Sequence, residues 1–307
     1  MTDRLDSMSI LLAAVDAGSL SAGARELGIP LATVSRRVAD LEERLRTQLL
    51  VRSARGLVLT DAGTAYVAAC RRILEQVDEA ERTAAGKFSA PKGLLNLTSP
   101  IVFGRLHLLP VIADFLKAYP EVDVRLEQSD RLVSLQEEQI DAAIRIGRLP
   151  DSSFRARRIG EVRQVVCASP AYLSARGRPE YAEDLAHHDC ITFENLMSAD
   201  RWRFGEGRDS RQIRVRSRMI VNTAEAAIRA AEAGLGVTRV LFYQIADAVA
   251  AGRLAIILEA EEPEAWPVSI LYGGGLVPQK LRAFIDFSAP RLSSVLSNGA
   301  GKGWTSA

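Results

Sequence analysis

Over the first ninety positions the apolar residues recur at helical spacing. Leu5, Met8, Leu12 and Val15 stand three and four apart, with Gly18 just beyond as a stop, so residues 3–17 predict an amphipathic helix. Ser21 is placed to cap a short second helix that ends at Leu27 before Gly28, and a third starts near Leu31 after Ile29 and Pro30. In the third, Val34, Val38, Leu41 and Leu45 form the buried stripe, which turns Ala32, Thr33, Ser35, Arg36 and Asp40 outward. Two apolar runs, 49–51 and 57–59, flank Arg52-Ser53-Ala54-Arg55-Gly56, the pattern of a hairpin with an arginine at each side of its tip. Thr60 then caps a long helix over 61–86, along which Ala62, Tyr66, Ala69, Ile73, Val77, Ala80 and Ala84 are spaced by three and four. Such a stripe needs a cover. Either it packs on the chain's own domains, or it forms a coiled-coil-like seam with a second copy, the favoured reading.

After Ser89-Ala90-Pro91-Lys92-Gly93, which reads as a linker, strands alternate with helices. Leu95, Leu97 and Ser99 alternate in a strand that ends at Pro100, a helical stretch runs to Tyr119, and Val122, Val124 and Leu126 alternate again. Buried-type runs follow at 142–146, 162–168, 191–193, 219–221, 236–238, 254–258 and 268–272, before a last helix over 278–296. This is βαβ order and implies parallel sheets. Residues 297–307 are rich in Gly, Ser and Ala and are expected to form a disordered tail.

The chain has 307 residues, enough for two domains, and its 39 Lys plus Arg nearly cancel 38 Asp plus Glu. Any nucleic-acid surface must therefore come from local clustering. One cluster exists: residues 31–59 hold six arginines (36, 37, 44, 46, 52 and 55) against three acids, Asp40, Glu42 and Glu43. With two helices joined by a short turn and a hairpin beyond, a winged helix-turn-helix fits. Its second helix would enter the major groove by its N-terminal end while the hairpin arginines reach phosphates or the minor groove. Cys70, Cys167 and Cys190 form no short-spaced pair, and His107, His187 and His188 offer no metal-ligand spacing. The start of the chain is amphipathic and no stretch reaches the length of a membrane span, so a cytoplasmic protein with reduced thiols and no membrane partner is expected.

Specific residues now resemble a known family. Ala17-Gly18-Ser19-Leu20-Ser21, Ala24-Arg25-Glu26-Leu27-Gly28, Val34-Ser35-Arg36 with Leu41-Glu42, and Leu57-Val58-Leu59-Thr60-Asp61-Ala62-Gly63 are similar to the DNA-binding domain of LysR-type transcriptional regulators. Ser99-Pro100, Tyr119-Pro120-Glu121-Val122, Asp141-Ala142-Ala143-Ile144-Arg145-Ile146-Gly147, Cys167-Ala168-Ser169-Pro170-Ala171-Tyr172-Leu173 and Ala233-Gly234-Leu235-Gly236 resemble that family's effector domain. The resemblance covers residues 3–290. It implies a winged helix-turn-helix (1–60), a linker and dimerisation helix with hinge (61–90), and an α/β effector domain (91–296) built like a periplasmic binding protein. The first subdomain of that domain would combine 91–162 with 268–296, the second would span 163–267, and an effector would bind between them. The family often opens its recognition helix with Ser followed by Gln or Lys. Here Ile29-Pro30-Leu31-Ala32-Thr33 stands in that place.

Base readout is accordingly expected from Thr33, Ser35, Arg36 and Arg37, with apolar contact from Leu31 or Ala32 to thymine methyls and phosphate or groove contacts from Arg52 and Arg55. The effector candidates are Ser99, Ile101, Val102, Ser129, Gly147, Phe193, Asn222, Thr223 and Thr238, each at or just past a predicted strand end, where ligands of open α/β sheets collect. Ser99 and Thr223 open helices on opposite subdomains, and free N–H groups at both would favour an anionic or strongly polar effector. As a plain helix cap, Ser99 would need no ligand. Gly299-Ala300-Gly301-Lys302 lacks a phosphate-loop setting, and Gly234-Leu235-Gly236 has Arg239 where a dinucleotide fingerprint needs its third glycine, so no cofactor is called for. The sequence reads as a regulator and not an enzyme, with promoter DNA, an effector, further copies of itself up to a tetramer and, for an activator, RNA polymerase as partners. Two alternatives stand beside it: a thiol-responsive regulator using Cys167 or Cys190, and a small-molecule-binding α/β protein with no regulatory role.

Overall fold

The computed structural model describes residues 4–53, 56–84, 90–131, 140–149, 154–193, 200–274 and 277–300. The chain divides into two units, 1–89 and 90–307.

In the first unit, α1 (Arg4–Asp16), α2 (Leu20–Leu27) and α3 (Leu31–Leu45) precede an antiparallel hairpin of β1 (Leu50–Ser53) and β2 (Gly56–Leu59), then α4 (Asp61–Ala84). The second helix starts earlier than its expected cap. Ser19, not Ser21, is in extended conformation and its Oγ accepts the Ala22 N–H at 3.1 Å, so the helix begins at Leu20. Leu11, Val38, Leu41, Leu49, Leu50 and Val67 make one buried cluster, and Ile10, Ala14, Ala24 and Val34 a second between the first three helices. The turn into the hairpin is fixed by Glu42, whose carboxylate accepts the N–H groups of Leu49 and Leu50 at 2.7 and 3.0 Å. Thr60 Oγ1 caps α4 by accepting the Gly63 N–H at 2.9 Å. The early residues of α4 are covered within this unit: Val67 and Cys70 are buried, and Arg71 pairs with Asp16 of α1. Farther along, Ile73 is exposed.

The second unit runs β3 (Gly93–Ser99), α5 (Ile101–Phe103), a π-helical turn over Gly104–Leu108, α6 (Leu109–Ala118), β4 (Val122–Gln128), β5 (Ala142–Ile146) and β6 (Arg155–Val162). It continues with β7 (Gln164–Ala168), α7 (Pro170–Arg176), β8 (Cys190–Phe193), β9 (Arg201–Phe204), β10 (Arg211–Arg214), β11 (Ser217–Val221), α8 (Ala224–Glu232), β12 (Val237–Leu241), α9 (Ala246–Ala250) and β13 (Ala255–Ile257). Last come β14 (Trp266–Tyr272) and α10 (Gln279–Ala300), which carries the helix through residues expected to begin the tail. Two five-stranded sheets result, ordered β4-β3-β5-β14-β6 and β11-β8-β12-β7-β13, with a separate β9–β10 hairpin.

Both sheets are mixed where parallel ones were expected. In each, one strand runs against the others: β14 is antiparallel to β5 and β6, and β7 to β12 and β13. These are the strands the chain enters directly after crossing from the other sheet. A strand that begins at the crossing must run away from it, whereas its neighbours run toward it. The run expected as one strand over 162–168 is accordingly broken at Arg163, where the first crossing falls. In β7 the period-2 rule assigns Val165 and Cys167 to one core, against α8, and Val166 and Ala168 to another, with Tyr172, Trp202 and Phe204. The other sheet has its own core, centred on Leu95, Leu97, Phe103, Phe115, Ile270 and Phe284.

Candidate functional site

In the first unit the apolar stripe of α3 is buried at Val34, Val38 and Leu41, which leaves the opposite face open. Leu31 (47% exposed), Ala32 and Arg36 are exposed, and Thr33, Ser35 and Arg37 are half-buried, so these six residues lie at the start of one helix. Pro30 at the N-cap gives no side-chain hydrogen bond, and its carbonyl accepts only from Thr33 and Val34. No acceptor among the described residues takes the N–H groups of Leu31 and Ala32, so the helix start carries partial positive charge, a setting that suits phosphate. Arg37 Nε is buried without a partner among the described residues. Arg52 lies in β1 opposite Leu57, and Arg55 falls outside the described residues.

The nine effector candidates of the second unit have different fates. Ser99 is fully buried at the end of β3, with its Oγ unpartnered among the described residues, and Ser129 donates its N–H to the Ser99 carbonyl at 2.9 Å. The Ile101 N–H, expected to be free, is taken by the Asp130 carboxylate at 3.0 Å, and Thr223 satisfies its own helix by accepting the Ala226 N–H at 3.2 Å. The two helix starts are joined by an ion pair between Arg105 and Glu225, 2.6 Å apart. Burial, and the nearby charge of Glu225, push the Asp130 carboxyl up from its ordinary range. This corner thus holds carboxylates where an anion was expected. Asn222 is exposed and Gly147 half-buried beside the Trp266 ring. Val102 and Phe193, expected at the ligand, pack into separate cores, and Thr238 is wholly buried with its Oγ1 donating to the Ile191 carbonyl at 3.0 Å. Val102 packs inward from α5, and Phe193 and Thr238 from their strands, because apolar and β-branched side chains near strand ends are first used for packing.

A cavity of about 540 Å³ opens instead beside the two crossings, and none of the nine lines it. Arg148 and residues 263–267 form one wall; Arg201, Arg203, Arg239, Gln164, Gln212 and the turn after β9 form the other. The crossings themselves are clasped, since Arg163 of the first donates Nε and an Nη to the Glu262 carboxylate of the second at 2.9 and 2.7 Å. The sequence signal for this site was the alternation Arg201-Trp202-Arg203-Phe204, in which Trp202 and Phe204 are buried and the arginines exposed.

Residues 5–64 match the family profile described as "Bacterial regulatory helix-turn-helix protein, lysR family", and residues 89–293 match "LysR substrate binding domain". The chain belongs to the LysR family. Its LysR-type relatives include an HTH-type transcriptional regulator of Xanthomonas campestris pv. campestris, 33% identical with 95% of this chain and 87% of the relative covered. An HTH-type transcriptional repressor of Pseudomonas aeruginosa is 34% identical, with 93% and 91% covered. Among solved structures, the LysR-type regulator CrgA of Neisseria meningitidis shares 29% identity at a TM-score of 0.60, covering 97% of this chain and all (100%) of that one. The chain is thus a transcriptional regulator with a DNA-binding unit and an effector-binding unit, the organisation of LysR-type proteins. Among the described residues no single helix is long and apolar enough to cross a membrane.

A thiol-responsive LysR regulator is not favoured. Burial pushes the Cys167 and Cys190 thiols up to about 12, which keeps both protonated and unreactive near neutral pH. His188, beside Cys190, is within 3.2 Å of the Tyr172 hydroxyl through Nδ1, and that hydroxyl accepts the Asp189 N–H at 3.0 Å. His188 is thereby part of a buried polar network.

Proposed function

We propose that this LysR-type chain binds promoter DNA as a dimer or dimer of dimers, through α3 and the β1–β2 hairpin, and that a small polar molecule in the cleft of the α/β unit controls it. The observation that carries this reading is the face of α3: Leu31, Ala32, Thr33, Ser35, Arg36 and Arg37 cluster at a helix start left open by Pro30. Thr33, Ser35, Arg36 and Arg37 read base edges, with Leu31 or Ala32 against thymine methyls, while Arg52 and Arg55 hold phosphates or the adjacent minor groove. The exposed stretch of α4 beyond Cys70 supplies the dimer seam. Ser99, Ser129, Asn222 and Thr223 serve the effector at the joined helix starts, with the half-buried Ile101 against its apolar part. The reading makes the protein a cytoplasmic regulator without catalytic activity or cofactor, and RNA polymerase a partner if it activates.

The test is fluorescence anisotropy of the full-length protein on duplex DNA over a range of salt, with Arg36→Ala and Arg55→Ala. Arg36→Ala should cost about 1 to 3 kcal/mol on the preferred sequence and relax choice at one position. Loss of a phosphate contact at Arg55 should weaken all sequences alike and flatten the slope of log affinity against log salt by about one unit. Unchanged affinity in both variants at every salt concentration would remove DNA from this surface.

A further inference from the structure

Arg239 sits on β12 only 5% exposed, and it lines the cavity beside the crossings. A guanidinium has five N–H donors and no acceptor. One nitrogen of Arg239 donates to the Arg203 carbonyl at 3.2 Å, and the group lies 5.3 Å from the centre of the Trp202 ring. Among the described residues its Nε is buried without a partner, and no carboxylate contributes to its charge state. A buried cation without a counter-ion is costly, and buried donors in native proteins are with few exceptions paired with protein, water or a bound group.

The rest of the lining says what is missing. Arg201 and Arg203 stand on the same side of β9, opposite the buried Trp202 and Phe204. Arg148 is already held by Glu264 at 2.7 Å, so three arginines without a carboxylate partner among the described residues meet one further carboxylate, Glu206. Across the cavity Trp266 and Pro267 offer an apolar surface. We propose that this cavity binds a small organic carboxylate, with the carboxylate on Arg239 and Arg203 and the carbon skeleton against Trp266. An inorganic ion would leave most of the 540 Å³ unfilled, a volume within the range of about 300 to 1,000 Å³ usual for small organic ligands. Burial and Arg203 push the Arg239 pKa down to about 9, and a bound carboxylate would reverse that shift. Because the lining joins the end of β5 and the second crossing to β9, β10 and β12, the ligand would bridge both sheets. This site is separate from the effector site proposed at the joined helix starts, and the inference rests on the regulator reading only in making its ligand a second effector.

Calorimetry and thermal shift on the full-length protein test it, with sodium succinate and sodium benzoate as probes, sodium phosphate for comparison, and sodium chloride at matched ionic strength as the blank. At least one of the two carboxylates should bind saturably and raise the melting temperature, and Arg239→Gln should weaken it about tenfold or more. Arg203→Gln, at an exposed position that threatens folding less, should weaken it in the same direction. Binding of neither carboxylate, binding of phosphate alone, or unaltered affinity in both variants would overturn the proposal. Duplex-DNA binding of the same samples keeps the two readings apart. A protein that binds DNA but no carboxylate refutes the cavity and leaves the regulator, whereas carboxylate binding without DNA binding supports the cavity and counts against the regulator.

Discussion

At position 63 a side chain as small as methyl would place its Cβ 2.0 Å from the Leu49 carbonyl oxygen, so α4 and the start of the hairpin approach through a glycine. Gly63→Ala should therefore lower stability by about 3 kcal/mol or more, read by chemical denaturation, because the obstacle is backbone and cannot rotate away. His107 supplies a prediction in pH. It lies edge-on to Phe103 and Tyr243, and burial brings its pKa from 6.5 to about 4. Below pH 6.5 the unfolded chain then binds more protons at this position than the folded one. The stability tied to neutral His107 is complete above 6.5 and is lost as pH falls toward about 4. His107→Leu should flatten that part of the stability profile, and an unchanged slope in denaturation midpoint against pH would contradict the assignment. Residue identities on α3 were legible because its stripe fixes which side is out. Val102, Phe193 and Thr238 were not, since adjacency to a strand end does not tell a lining side chain from a packed one.

Among elements, α3 and the hairpin followed from spacing alone, while the start of α2 did not. Ser19 and Ser21 are both competent caps, and the choice depends on which backbone is extended. The β9–β10 hairpin escaped notice because each strand is four residues long and interrupts the apolar alternation with arginines. The reversed strands β7 and β14 were missed for another reason: the division at 162/163 and 267/268 already implied the two crossings, but apolar alternation within a strand carries no direction, so their reversal was not drawn from it. For α4, Val67 and Cys70 use its first turns within the DNA-binding unit, which leaves Ile73 and the later turns of the helix for a partner copy. Ile73→Glu combined with Ala69→Glu should give folded monomers or weakly associated chains by light scattering. A folded double variant of wild-type mass would place the seam elsewhere.

For the molecule as a whole, a formal net charge of +1 conceals two local excesses of arginine, one over residues 31–59 and one around Arg239. The first was visible as a run in sequence. The second is assembled from the segment just after β5 and from β9 and β12, and exists only in the fold. If the two excesses are the DNA surface and the ligand surface, a carboxylate that binds at Arg239 should change DNA affinity, and Arg239→Gln should abolish that change while leaving binding by the free protein intact. Equilibrium titration of DNA with and without the carboxylate measures this coupling. The central claim, that α3 reads DNA sequence, is tested most directly by selecting binding sites for the full-length protein from a random-sequence duplex library. The account predicts an enriched motif of two related half-sites spaced by about one helical turn, roughly 34 Å, or a multiple of it, with one position of each half-site relaxed in Arg36→Ala. Failure to enrich any motif, or the same motif at the same strength from Arg36→Ala, would contradict it.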